Sequence, residues 1–344
     1  MVHRPLRLRL DGDALVSNWR WLRERGGSAA CGAAVKADGY GLGAREVVKR
    51  LAAAGCRDFF VSTWAEAEAL DEVIGNASLC VLHGVLADDM QSALASRARP
   101  VLNSMEQVAR WRGTGRPCDV MIDTGIARLG LTPEEAGAGV FDGLTVDTVH
   151  SHLACGDEDR ASNEEQRRLF AGITEALTTG RRSLANSAGI CLGRDYAFDL
   201  TRPGLALYGG TPRPEADGRL HQVAKIEAQV LQRRRVGKGR GVGYNATWTA
   251  PQDCELAILN LGYADGYLRG FSSRGTARFE EVGLPVVGRV SMDLIALRVD
   301  AARDLREGDW VEIDFDPPQA AAQSGLSQYE LLTTLGSRFE RIWT

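Results

Sequence analysis

The chain has 344 residues, enough for two domains or for one barrel with an addition. Its 41 lysines and arginines against 45 aspartates and glutamates leave a formal net charge of −4, and its 44% hydrophobic content is that of an ordinary globular protein. A disordered chain and a nucleic-acid surface are thereby disfavoured.

The N-terminus meets Asp11 and Asp13 before any apolar run forms, and no stretch of about 18 apolar residues follows, so neither secretion nor membrane spanning is expected. A first helix is predicted over 13–25, where Leu15, Trp19 and Leu22 share one face. Short apolar runs then alternate with polar turns and amphipathic stretches: Ala29–Val35, Phe59–Val61, Ser78–Leu82, Val101–Leu102, Cys118–Ile122, Val146–Leu153, Ser183–Ala185 and Leu205–Tyr208. This βαβα rhythm offers eight strand candidates and predicts an α/β fold, an N-terminal (β/α)8 TIM-like barrel. Capping boxes, in which a Ser or Thr accepts from an orphan N–H and a Glu or Gln three residues on reaches back, mark helix starts at Thr63/Glu66, Ser104/Gln107, Thr132/Glu135 and Ser162/Glu165. Pro133 strengthens the third, since its missing N–H costs nothing at the first helical position. Phe170, Ile173 and Leu177 give the fourth an apolar face.

The polar, Pro-containing stretch at 215–225 reads as a linker. Beyond it, Val223–Val230, Cys254–Leu261, Leu284–Val287, Leu294–Val299 and Trp310–Ile313 are separated by Gly, Asp and Pro turns without long helices, which predicts a mainly-β C-terminal domain. The division is therefore 1–225 for the barrel and 226–344 for the β domain, with residues 1–8 candidates to pair with the latter. DPPQAAAQSG is expected to be a loop, followed by a short helix from a capping box at Ser327/Glu330. The seven cysteines, Cys31, Cys56, Cys80, Cys118, Cys155, Cys191 and Cys254, are scattered and never spaced C-x-x-C, so no metal site or disulfide framework is signalled and a reduced, cytoplasmic setting is expected.

One lysine stands out. Lys36 closes an apolar strand and precedes a glycine-containing turn. Its plain reading is a side chain snorkelling to the barrel rim. Its functional reading is a partly desolvated amine at the C-terminal end of a parallel strand, able to attack a carbonyl and form a Schiff base.

The segments AVKADGYGLG, IDTGIARLG, HSHLACGDE, LANSAGI, TRPGLALYG, VGYNATW, LGYADGYLR and GRVSMD follow one another along nearly the whole chain. In this order they resemble the alanine racemase family, pyridoxal-phosphate enzymes with a barrel and a C-terminal β domain. The resemblance implies that Lys36 holds pyridoxal 5'-phosphate as an aldimine and serves as base on one face of the substrate. It implies that Tyr244 is the base on the other face, supported by His152 and Arg202, the latter also donating to the pyridine nitrogen. His150, two residues earlier, is the rival to His152 if the strand register differs. Tyr40, Ser187 and the backbone N–H groups of Gly204 and Leu205 match phosphate ligands, with Asn186 beside them. Arg128 and the N–H of Met292 match groups that bind the substrate carboxylate, Tyr263 a pocket tyrosine, and Arg269 and Arg289 the access corridor. The resemblance further implies a homodimer in which the tyrosine of one subunit completes the site of the other.

Two departures stand out. Met121 occupies the place of a lysine that several relatives carbamylate to orient the carboxylate-binding arginine, so another acceptor must serve Arg128. Ser337 stands where many relatives have a phosphate-contacting tyrosine. The leading reading is an L-alanine/D-alanine racemase. The alternatives are a racemase of broader specificity, serine included, or a non-catalytic pyridoxal-phosphate carrier, which would lack the second domain. A related decarboxylase would place a carboxylate where this chain has Arg202.

Overall fold

The structure is a computed structural model that describes residues 3–137, 139–175, 177 and 180–344. The chain forms two units, one of Leu15–His221 and one of Met1–Ala14 with Gln222–Thr344.

In the Leu15–His221 unit seven parallel strands are hydrogen-bonded in chain order: Ala33–Ala34, Asp58–Val61, Ser78–Val81, Arg99–Leu102, Pro117–Met121, Thr145–His150 and Arg181–Ser183. The eighth is Leu200–Thr201, parallel to Ala30–Cys31. On its other side the Asp199 N–H donates to Arg182 O at 3.0 Å and the Arg202 N–H to Ala185 O at 2.8 Å, so the ring of strands closes. The predicted eighth strand, Leu205–Tyr208, is instead a buried 3-10 turn. A short apolar run reads alike as a strand or a buried helical turn, and Pro203, which lacks an N–H, separates the two segments. Gly32 lies between Ala30–Cys31 and Ala33–Ala34, where a Cβ would meet Asp58 O and the Phe60 ring at 2.8 Å each, a crowding that costs about 1–3 kcal/mol. Phe60, Cys80, Val101, Met121 and Leu200 pack together in the barrel, so Met121 serves the core.

The helix Gly12–Arg25 buries Leu15, Trp19 and Leu22 as its period requires. The Thr63/Glu66 box is complete and opens Trp64–Glu68. Ser104 caps Met105–Trp111, but Gln107 Oε1 accepts from the Asn103 N–H and not from that of Ser104. Thr132 and Glu135 exchange both hydrogen bonds, yet the chain there makes only turns, so the expected helix is absent. Helix nucleation is costly, and Gly137 and Gly139 follow too soon for propagation. The Ser162 helix runs Ala161–Glu175, placing Ser162 inside its first turn and Leu177 beyond its end.

In the other unit the strands Cys254–Leu259, Ile295–Arg298, Val282–Val287, Thr276–Phe279, Trp310–Ile313 and Ala224–Val236 are neighbours in that order. Ala224–Val236 pairs back onto Cys254–Leu259, closing the ring, and a register shift between Val230 and Gln232 lets it serve both neighbours. Its first half also pairs antiparallel with Leu6–Leu10, which in turn pairs parallel with Glu340–Trp343. Leu6, Leu8 and Leu10 alternate inward, as LRLRL dictates. Met1 and Val2, part of the 1–8 expectation, lie outside the described residues. The expected loop at DPPQAAAQSG is the helix Pro317–Ser324: prolines open its first turn and Gly325, at φ 73°, ends it. Gln328–Thr333 follows from the Ser327/Glu330 box.

Candidate active site

The first barrel strand ends at Ala34, so Lys36 stands at the C-terminal mouth, where barrels of this kind build their sites. Ala37, Asp38, Gly39 and Tyr40 then have φ of 52°, 51°, 63° and 56°, a single left-handed turn. For non-glycine residues that conformation costs about 1–2 kcal/mol each. Hydrogen bonds hold it: the Ala37 N–H donates to Glu66 Oε1 at 2.7 Å, the Gly39 N–H to Val35 O at 2.8 Å and the Ala44 N–H to Asp38 Oδ1 at 2.8 Å. Glu66 Oε2 accepts from the Ser62 and Thr63 N–H groups at 2.6 and 3.2 Å, so the capping carboxylate also pins the turn behind Lys36. Its second role carries no sequence signal, because Ala37 is distant in the chain.

Partial burial, with the charges of Arg128 and Arg202, holds the Lys36 ammonium below the usual lysine range, against the opposing pull of Glu66. That shift brings it nearer to acting as a base. His152 shares this field: burial first, then Arg202, Arg128 and Lys36, push its pKa down to about 3. Fully buried His150 is also held below the usual histidine range, chiefly by burial. Both rings are therefore neutral when folded and titrate near 6.5 when unfolded. Below that pH the unfolded chain takes up protons that the folded chain refuses, so stability falls as pH drops from about 6.5. The thermal midpoint should be flat from pH 8 to 7 and decline from pH 6.5 to 5, by at most about 2 kcal/mol of stability per histidine. Calorimetry across that range checks this, and a flat midpoint down to pH 5 would contradict it.

The strand Thr145–His150 ends at His150, so His152 lies just past it and not within the expected Val146–Leu153 strand. His150 Nε2 lies 3.0 Å from Asp119 Oδ2 and its Nδ1 3.2 Å from Arg202 Nη1. Arg202, 6% exposed, also donates to Ser183 Oγ and, at 2.6 Å, to Ser151 O. Burial lowers its pKa to about 10, which leaves it cationic at neutral pH.

Tyr40, Ser187 and Gly204 lie together at the start of the turn Leu205–Tyr208, but the Gly204 N–H, expected to face a phosphate, donates instead to Ser187 Oγ. Ser187 Oγ accepts from the Gly204 and Ala206 N–H groups at 2.9 and 3.2 Å, leaving its own proton to donate. A Cβ on Gly204 would collide with the Tyr40 hydroxyl, so glycine is required for that approach. Tyr40 stacks on Tyr208 at 4.7 Å, and the Tyr208 hydroxyl donates to Ala34 O at 2.9 Å, fixing Tyr40 to the end of the strand that precedes Lys36. Asn186 caps the next helix through Gly189 N–H, a supporting role. The hydroxyl proton of Ser187, the buried Arg202 guanidinium and a lysine of lowered pKa are donor and amine types that would suit a phosphate, a ring nitrogen and an aldehyde, the three handles of pyridoxal phosphate.

Arg128 is exposed, and among the described residues no carboxylate engages its guanidinium. Asp123 instead accepts from the N–H groups of Gly125, Ile126 and Arg128 and shapes the loop backbone. The remaining site residues belong to the β unit. Tyr244, 67% exposed, sits at the tip of a short hairpin closed by Val242 and Trp248, above a groove of about 610 Å³ lined by Arg234, Arg240, Arg289 and Leu294. Tyr263 lies under the Arg269 guanidinium at 5.2 Å, and Met292 is exposed in the turn Ser291–Leu294. Ser337 is exposed.

A partly buried lysine of lowered pKa at the C-terminal mouth of a parallel barrel is the arrangement of a candidate enzyme site. Residues 10–212 match the family model of the alanine racemase N-terminal domain, and residues 223–343 that of the alanine racemase C-terminal domain. The alanine racemase of Rhodospirillum rubrum is 42% identical over 97% of this chain and 94% of its own, and that of Acidiphilium cryptum 40% identical over 97% and 98%. The crystal structure of alanine racemase from Bartonella henselae with covalently bound pyridoxal phosphate is 34% identical, with a TM-score of 0.93 over 99% of this chain and 100% of that one. The chain belongs to the alanine racemase family, and its class is that of an amino-acid racemase, an isomerase. Among the described residues no helix is long and apolar enough to cross a membrane.

Proposed function

We propose that this protein interconverts L-alanine and D-alanine with pyridoxal phosphate bound to Lys36. What supports the reading is that Lys36, Arg202 and His152 share one electrostatic field in the barrel unit, with the Ser187 hydroxyl and Tyr40 in the same unit. The cofactor, when bound, withdraws electrons from the substrate and acidifies its Cα–H. The chain supplies the rest. Lys36 moves the proton on one face, and Tyr244 of the partner subunit moves it on the other. Racemisation requires two such groups, since a proton must leave one side of Cα and another arrive opposite. A phenol with an ordinary pKa near 10 is a poor base, so Arg202 and neutral His152 are needed to support the phenolate. Arg202, which keeps its proton, leaves the ring nitrogen unprotonated and the electron sink weak, which disfavours side reactions.

Arg128 grips the substrate carboxylate through its fork of donors, with the N–H of Met292 as a second donor and Tyr263 lining the pocket. The exposure of Tyr244 on its hairpin suits a side chain delivered to a second copy, and an isologous dimer would form two equivalent composite sites. The β unit that carries Tyr244 argues against a bare cofactor carrier, and Arg202 against a decarboxylase. The test is circular dichroism of L-alanine and of D-alanine with purified protein and pyridoxal phosphate. Approach to the racemic mixture from either side is expected, with a higher kcat/KM than for serine. Retention of optical activity by both amino acids would overturn the reading.

A further inference from the structure

Resting on the racemase reading above, we propose that His150 is a positioning residue that links the buried carboxylate of Asp119 to Arg202, aiming the guanidinium without placing a negative charge on it. Every acceptor that Arg202 finds is neutral: His150 Nδ1, Ser183 Oγ and Ser151 O. A buried guanidinium needs a counter-charge, because an uncompensated buried ion is costly. That charge sits one imidazole away. Asp119, fully buried, accepts from His150 Nε2 at 3.0 Å, so the ring's proton is on Nε2 and its Nδ1 lone pair faces Arg202 Nη1 at 3.2 Å.

The far side of Asp119 fixes this orientation. Its oxygens also accept from Arg99 Nε at 3.3 Å, the Thr148 N–H at 3.2 Å and the Cys80 thiol at 3.0 Å, so all four neighbours are donors. Arg99 continues to Asp147 at 2.9 Å, and Arg181 joins Asp147 and Asp58 at 2.9 and 2.8 Å. Three carboxylates thus meet three guanidiniums, and the cluster is neutral only while His150 is neutral, the state that burial enforces. A carboxylate directly on Arg202 would neutralise the group meant for the ring nitrogen. An apolar residue would leave its cation uncompensated. A neutral imidazole with a fixed tautomer meets both demands.

Two variants separate this role from packing. In His150→Asn the amide oxygen replaces Nδ1 and accepts from Arg202. In His150→Gln, nearer to histidine in size, the amide replaces Nε2 and keeps only the link to Asp119. Cofactor affinity, read from titration of its visible band, and kcat should follow the order wild type, Asn, Gln. We expect Asn within about fivefold of wild type, and Gln weakened at least about tenfold in cofactor affinity and kcat with KM little changed. Gln equal to or better than Asn would overturn the proposal. Should either variant fail to fold, nitrogen NMR of the wild-type chain decides: a neutral Nε2–H tautomer at His150 is required, and an Nδ1–H or doubly protonated ring contradicts it. A wild type with neither visible band nor racemisation would remove the racemase reading itself.

Discussion

Lys36→Ala should abolish both racemisation and the stable visible band of the bound cofactor. The lysine is asked to hold the cofactor and to move a proton, and the second task alone contributes about 10²–10⁴-fold. Losing both should lower kcat/KM by at least about 10⁴-fold. The fold should survive. Lys36 is only partly buried, and the left-handed turn after it is held by Glu66, Val35 and Asp38 rather than by the lysine side chain. Borohydride treatment, which fixes a Schiff base irreversibly, should leave the cofactor attached to wild type and not to the variant. A Lys36→Ala protein that racemises alanine at a tenth of the wild-type rate would contradict the assignment.

Tyr244→Phe should behave differently. The ring stays and only the hydroxyl goes, so the cofactor band and stability should be unchanged while kcat falls by about 10²–10⁴-fold. Tyr244 is exposed on a hairpin whose backbone pairing, Val242 with Trp248 and Gly241 with Thr249, does not use the hydroxyl. The contrast between the two variants, one losing the cofactor and one keeping it, separates cofactor attachment from proton transfer.

Much of this was legible in the chain because local rules and the tertiary fold agree. Six of the eight barrel strands coincide with apolar runs, while Arg181–Ser183 shares only Ser183 with the expected Ser183–Ala185, and LRLRL alternates as a half-buried strand must. The misreadings lie where an apolar run has two outcomes. Leu205–Tyr208 is as apolar as a strand but turns as a 3-10 segment, while the true closing strand, Leu200–Thr201, is too short to show a period. Thr132 and Glu135 make their capping box without a helix behind it, because capping stabilises a helix start but does not supply propagation. At 317–324 the two prolines suggested a loop, although proline in a first turn followed by a closing glycine is equally a helix pattern.

The site divides in the same way. Lys36 is a candidate from its place at a strand end, whereas Tyr40, Ser187 and Gly204 are candidates from the family resemblance alone. Asp119, Ser183 and the link from Glu66 to Ala37 were not legible. Each acts through a partner at least 19 residues away in sequence, and no periodicity encodes such pairs. His150 was visible only as a competitor to His152. The His150 ring lies between Arg202 and Asp119, whereas His152 is buried in the electrostatic field of Arg202, Arg128 and Lys36.

The most direct measurement of the central claim uses both variants at once. Lys36→Ala and Tyr244→Phe chains carrying different tags, co-expressed and purified through both, give a heterodimer. One of its composite sites then has both wild-type residues and the other neither. If Tyr244 serves the partner subunit, this heterodimer should racemise alanine at about half the wild-type rate although each parent is nearly inactive. A heterodimer as inactive as its parents would contradict the shared site.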